Sequence, residues 1–336
     1  MKLTDPVIGG GPKVQPEYVA FDSFGVMGQC TLVTTPDVVV CIDPGASAES
    51  ASFPLPEPER RALEARYLDA CRAAAAKAKA IVVSHYHLDH FLDARDPGVY
   101  AGKVLFAKAL DDLPPKQLAR AERFHATIAG LPDETVWCDG RRFKFGRTEV
   151  AFSEPAWHGE ENAEPGTVVM VEVKRGREEL LFTSDVCGPT FTGTAEFVAN
   201  SGARTVILDG YPTILLGQLE TDLDLVRSVI NVCRILHSKG LKTLVFDHHH
   251  CRDYRYPAFY RLAYDKARQL KKEFGSAAEL AGNASAVLRG LQDHGPTKWK
   301  KWAPLDLNAC RTAVERAAPD PKTKKSLLRD LDRWVA

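Results

Sequence analysis

The chain of 336 residues carries 44 Lys and Arg against 44 Asp and Glu, with 45 % apolar and 26 % charged residues. That balance excludes a disordered chain and a protein that grips a polyanion by net charge, and the length allows one large domain or two medium ones with a substantial core. Eight cysteines with no CxxC pair exclude a thiolate zinc knuckle. Asp5 and Pro6 stand where a secretion signal needs an apolar run, and no apolar stretch reaches the length of a membrane span. The expectation is a cytoplasmic chain, off the membrane, with reduced thiols.

In chain order, Tyr18–Val26, Cys30–Thr34 and Val38–Ile42 predict short strands, punctuated by Gly25, Gly28 and the Pro36-Asp37 turn. The Asp43-Pro44-Gly45 turn follows. Residues 46–58, with prolines at 54, 56 and 58, predict no regular element. Glu59–Lys79, rich in Ala, Arg, Leu and Glu, predicts a helix. Ala80–Ser84 reads as a buried strand that runs into a histidine cluster. Val104–Ala107 predicts a strand and Pro115–Ala129 a helix. Thr135–Cys138, Arg142–Phe145 and Glu149–Phe152 predict strands, with hairpin signals at Asp139-Gly140 and Gly146. Val168–Lys174 and Glu179–Ser184 predict a further hairpin around Arg175-Gly176. Glu196–Asn200 reads as helix, Thr205–Asp209 as a buried strand, Asp222–Lys239 as a long amphipathic helix and Leu241–Asp247 as a last buried strand. Beyond Pro257 no strand is expected. Residues 258–292 and 306–335 read as helices around a Pro/Trp/Lys loop at 295–304. The fold class expected is α/β, with a sheet-rich portion over 1–256 and a helical extension over 257–336.

The strongest chemical signal is Ser84-His85-Tyr86-His87-Leu88-Asp89-His90. It holds three imidazoles and a carboxylate in a chain with only ten histidines, too dense for chance. Imidazole and carboxylate are the donors that first-row divalent ions take in hydrolytic sites. His85 and His87, two apart, point the same way in extended backbone. Asp89 and His90 follow in a tighter turn and can aim at a neighbouring position. Further ligand-type residues close apolar strands: His158, Asp185, Asp209 and the run Asp247-His248-His249-His250.

The HxHxDH string, a distant histidine, an aspartate after an apolar strand and a last histidine together resemble the metallo-β-lactamase superfamily. The likeness extends to a branch of predicted hydrolases seen chiefly in archaea, through Asp22–Val26, Ile42–Gly45, Asp139–Arg141, Pro155–Gly159, Ser184–Pro189, Leu208–Pro212 and Asp247–Asp253. The resemblance implies a four-layer αββα sandwich over 1–256, with the helical extension 257–336 packed on it and a metal site at one edge of two facing sheets. It implies that His85, His87 and His158 hold one ion. Asp89, His90 and a last histidine would hold a second, and Asp185 would bridge the two. His248, directly after its strand, is preferred as that last histidine, with His249 second; His250 reads as a solvated loop residue. Asp43, Asp209 and Asp247 are expected behind the ligands, where a carboxylate accepts a ring N–H. Cys187 and Cys251 lie near ligand positions, but the His/Asp set is complete without them.

A dinuclear hydrolase using a metal-bridging hydroxide follows, with Asp89 orienting the water and Asp185 between the ions. The unused histidine of the 248/249 pair, His249, is expected as a proton donor or as a hydrogen-bond partner. Zinc is the default ion, with iron or manganese as alternatives. The expected substrate is a small molecule: a phosphoester or phosphodiester, or another anionic ester. A lactone or thioester hydrolase, or an iron-dependent redox enzyme of the same fold, is the alternative. Lys108, Gln117 and Arg120, with Arg123, offer either a binding face for an anionic group or an ordinary charged helix face. Arg141, Arg142, Lys144 and Arg147 around Phe143 and Phe145, and Lys298–Trp302, are basic-aromatic clusters of the kind that binds single-stranded nucleic acid. That partner is not favoured, because hairpin alternation and tryptophan packing produce the same pattern. The extension is expected to shape the pocket or a homodimer contact.

Overall fold

The computed structural model describes residues 14–92 and 96–336, so the N-terminal stretch with Asp5 and Pro6 lies outside the described residues. Six strands build a first sheet whose spatial order is the chain order: β1 (Gln15–Phe21), β2 (Gln29–Thr34), β3 (Val39–Ile42), β4 (Ala80–Val83), β5 (Val104–Ala107) and β6 (Glu134–Trp137). Seven build a second in the same way: β7 (Arg142–Phe145), β8 (Thr148–Phe152), β9 (Val171–Arg175), β10 (Glu178–Phe182), β11 (Thr205–Asp209), β12 (Thr243–Asp247) and β13 (Glu273–Gly275). Each sheet opens antiparallel and closes parallel. The switch falls at β3 in the first and at β10 in the second.

Parallel neighbours need crossovers, and helices supply most of them. α1 (Glu57–Lys77) joins β3 to β4 and α2 (Pro115–Thr127) joins β5 to β6. α3 (Thr192–Asn200), α4 (Asp222–Leu236) and α5 (Arg261–Leu270) serve the second sheet. α6 (Ala286–His294), α7 (Leu307–Ala317) and α8 (Pro321–Asp330) follow β13. Helix α4 starts where the Thr221 side chain accepts from Asp224 N, with Asp222 and Asp224 in the first turn, both favourable to its positive end.

The layers follow from alternation along β4. Ala80 and Val82 pack between the sheets with Val40, Phe106, Phe182 and Ile207. Ile81 and Val83 face α1 and α2 through Leu68, Cys71, Ala121 and Phe124. Both faces are covered, so the strand is apolar throughout. On the other side Leu181, Val206, Leu208, Leu244 and Phe246 pack against Val198, Val226, Ile230 and Ala263, and Cys310 and Val314 of α7 join the same core. The result is a four-layer αββα sandwich with a largely helical C-terminal part.

Three local expectations change. Asp139-Gly140 is not a hairpin turn: β6 pairs with β5 and β7 with β8, so this turn carries the chain from one sheet to the other. Residues 258–292 are not one helix. β13 interrupts them by pairing with β12, because three residues of an edge strand can gain ladder hydrogen bonds that no local pattern announces. Within 46–58, Ser47–Ala48 pairs with Val26–Met27.

Candidate metal centre

The C-terminal ends of β3, β4, β10, β11 and β12 deliver Asp43, Ser84-His85, Ser184-Asp185, Asp209 and Asp247-His248 to one edge of the sandwich. The backbone there is strained. Asp43, Ser184, Cys187, His248 and His249 all have positive φ, five of the eight non-glycine residues that do so among those described. Such conformations cost of order 1–3 kcal/mol each and concentrate at functional sites. Gly45 lets the Asp43 turn come close to the ligand loop, since a Cβ there would lie 2.4 Å from Phe91 N and 2.6 Å from Asp89 C.

Asp185 Oδ2 is the hub. The Nε2 atoms of His90, His85, His158, His248 and His249 lie 3.3, 3.4, 3.4, 3.5 and 3.5 Å from it. His87 Nδ1 completes one side, 3.0 Å from His85 Nε2 and 3.3 Å from His158 Nε2. These separations are long for charge-assisted hydrogen bonds. They match the ligand–ligand edge of a tetrahedron with donors about 2.1 Å from an ion, roughly 3.4 Å. His85, His87, His158 and Asp185 form one group that can hold a metal; Asp89, His90 and His248 form another beside it. His90 Nε2 and Asp185 Oδ1 are buried without a hydrogen-bond partner, as atoms that answer to an ion would be. The donor set therefore fits divalent ions.

Carboxylates behind the rings set their orientation. Asp43 faces His90 Nδ1 with Oδ2 at 2.9 Å and accepts the Ser84 N–H with Oδ1. Asp209 Oδ2 faces His249 Nδ1 at 3.0 Å and accepts Cys187 N. Asp22, which sequence reasoning had placed in a motif without a role, faces His248 Nδ1 at 2.8 Å. Its one available signal is its place at the end of β1, the rule that identified the others. Asp247 touches no ring and accepts the backbone N–H of Ser23, His248 and Ala277 instead. His85 Nδ1 sits 3.1 Å from Ser84 Oγ and 3.3 Å from Ser184 Oγ.

Burial presses His85 to about 4 and His87 to about 2, so both rings are neutral with lone pairs to donate. Burial and the His248 charge hold His249 well below the usual range. For His90 burial works against the imidazolium, but Asp185 and Asp43 outweigh it and raise the group well above normal. His248 is raised to about 10 against burial by Asp22 and Asp185. Asp185 is held well below the usual carboxylate range by the surrounding histidines, despite its burial. Without an ion, the carboxylates thus draw protons onto two of the rings.

A cavity of about 540 Å³ opens on the cluster through His158, Cys187, His249 and Arg252, with Tyr211 and Leu215 on its wall and Lys298 at its rim. Cys187 Sγ is 3.4 Å from His158 Nδ1. Lys108, Gln117 and Arg120 do not line it. Lys108 is buried against Asp139, and Gln117 accepts Tyr86 N and donates to Pro165 O, so both brace the fold. Half-buried Arg120 lies on α2. Phe143 and Phe145 pack on Phe106, Trp299 lies under Arg255 and Trp302 against Tyr254, so the aromatic members of the basic clusters serve packing. His250 is fully buried, not solvated: it stacks on Phe246 above Gly210, where any Cβ would strike its ring. All eight cysteines are unpaired, Cys251 among the buried ones. Among the described residues no helix is long and apolar enough to cross a membrane.

Residues 24–248 match the family model described as the metallo-beta-lactamase superfamily. A UPF0282 protein of Metallosphaera sedula is 34 % identical over 302 residues, covering 85 % of this chain and 95 % of that protein. A UPF0282 protein of Methanopyrus kandleri is 32 % identical over 289 residues, covering 82 % and 96 %. Among solved structures, the metallo-beta-lactamase fold protein YhfI from Bacillus subtilis is 15 % identical with a TM-score of 0.43, covering 76 % of this chain and 94 % of that one.

Proposed function

The chain belongs to the metallo-β-lactamase superfamily and, within it, to the archaeal UPF0282 family, and from that premise we propose that it is a metal-dependent hydrolase with two neighbouring ion positions. The observation that carries this reading is the convergence of five imidazole nitrogens on one oxygen of Asp185 at 3.3–3.5 Å. In the proposal His85, His87 and His158 hold one ion, and Asp89, His90 and His248 hold the other. Asp185 lies between them. Zinc suits the His/Asp donors best, with iron or manganese as alternatives.

Two such ions supply, when bound, a nucleophilic water near neutral pH and an electrophile for the substrate oxygen. The chain's own residues do the rest. Asp89 orients the attacking water, since its Oδ2 faces the space shared by His90 and His248. His249, held through Nδ1 by Asp209, keeps an unprotonated Nε2 beside the cavity and takes up and returns a proton there. Asp43 and Asp22 fix the two rings of the second position. Lys298 and Arg252 stand on the lining beside Glu160 and Glu220 and offer cationic partners to an anionic group, which supports a phosphoester or phosphodiester as the preferred class. The apolar wall around Leu215 and Tyr211 supports a carboxylic ester, lactone or thioester as the second reading.

Metal analysis of the purified chain is expected to give about two divalent ions per chain, and His85→Ala to lose ion and activity together. A single iron with a visible chromophore would refute the hydrolytic reading. A panel of chromogenic phosphodiesters, phosphomonoesters, lactones and thioesters then separates the substrate classes, with turnover of the phosphate esters expected and turnover of lactones alone reversing the preference.

A further inference from the structure

The second position carries a cation of its own. Arg252 Nη2 lies 3.3 Å from Asp89 Oδ2 and 3.3 Å from His248 Nε2, while its Nε donates to Asp22 Oδ2 at 2.6 Å. A guanidinium only donates. Nη2 therefore claims the Asp89 oxygen that a second ion needs and stands against the His248 ring that would hold that ion, and two positive charges a few ångströms apart repel strongly in a buried site. Ion and guanidinium exclude each other from this place.

A second seat lies close by. Glu49 is 2 % exposed, and both of its carboxylate oxygens are buried without a hydrogen-bond partner. Asp22, Arg252 and Asp89 are among the charges that act on it. A buried carboxyl with no donor is costly unless one arrives. The Arg252 side chain is 18 % exposed and lines the cavity, so open space borders one side of the guanidinium beyond its Nε contact with Asp22.

We propose that Arg252 is a displaceable counter-cation of the second position: it pairs with Asp89 while that position is empty, and turns toward Glu49 when an ion enters. The two positions then load in order and with unequal affinity. The inference rests on the two-position reading above.

The full chain, stripped with a chelator, is titrated with Co²⁺ alone and followed by calorimetry and by the visible absorption of the ion. Two steps are expected, the second weaker by roughly tenfold or more. Arg252→Lys keeps the positive charge, but lacks the fork that reaches Asp22 and Asp89 through separate nitrogens. It is expected to tighten the second step about fivefold or more and to leave the first unchanged, which also reports intact folding. A wild type that takes one ion and an Arg252→Lys variant that takes two gives the same support. Arg252→Met removes the charge as well and should tighten the second step at least as much. A second step that responds to Arg252→Met but not to Arg252→Lys reports charge at a distance and overturns the displacement, as do two equal steps in the wild type. A chain that binds no ion, or one ion in every variant, defeats the two-position reading instead.

Discussion

Three carboxylates each take one ring nitrogen and thereby decide which nitrogen faces Asp185: Asp43 for His90, Asp209 for His249 and Asp22 for His248. An amide in place of Asp22 keeps the shape but weakens the hold on the ring. Asp22→Asn is expected to lower ion affinity at the second position 10- to 100-fold while the first stays close to wild type, measured by competition with a chromophoric chelator. His250→Ala should leave metal content unchanged and destabilise the fold by about 2 kcal/mol or more, because it empties a packed place against Phe246. The ligand types were legible in the chain, since imidazoles and carboxylates cluster at the ends of apolar strands. The partner of His248 was not. Asp22 lies 226 residues away, and no local pattern joins them. Nor could His250 be told from a solvated neighbour, because its burial depends on a glycine forty residues upstream.

At the level of elements, strands and crossovers do different work. β4 was legible because a strand covered on both faces must be apolar throughout. β13 was not, because Glu273-Phe274-Gly275 is short and gains its place only from pairing with β12. That strand ties the C-terminal part into the second sheet, and Ala277 N just beyond it donates to Asp247. A chain ended after residue 256 should therefore fail to fold cooperatively, with loss of a single sharp unfolding transition in circular dichroism. A truncated chain that melts sharply and binds metal would show that the extension is dispensable. The Asp43-Pro44-Gly45 turn is equally constrained. The Cβ of Gly45→Ala would meet the backbone of Asp89 and Phe91, so about 1–3 kcal/mol of stability should go, together with the second ion.

For the whole molecule, the centre links stability to metal and pH. In the ion-free chain His248 titrates near 10, above the ordinary imidazole value near 6.5. Its contribution is complete below about pH 6.5 and is lost as the pH rises to about 10. Glu49 is pushed up to about 8 chiefly by burial, so folding keeps it neutral where the unfolded chain would ionise, and stability falls as the pH rises from about 4.5 to about 8. Both act in the same direction. Between pH 7 and 9, where the rings held neutral (His85, His87 and His249) are neutral in the unfolded chain as well, the unfolding midpoint of the chelated protein should drop by about 5 °C, and that of the metal-loaded protein by clearly less, read by differential scanning calorimetry. A flat profile for the chelated protein would remove these two groups from the account.

The hub around Asp185 also sets a calendar for maturation. Its surroundings come from residues 22 to 252, from both sheets, and the Asp22–His248 contact closes a loop of more than two hundred residues. Contacts of that sequence separation form late, after the entropy of closing the chain has been overcome. A ribosome must have released most of the chain before the rings and carboxylates can meet. An ion bound at this hub would therefore meet a sandwich already assembled, unlike a zinc finger's ion, which nucleates its fold. Metal starvation should then yield a folded, reloadable chain in place of an aggregate.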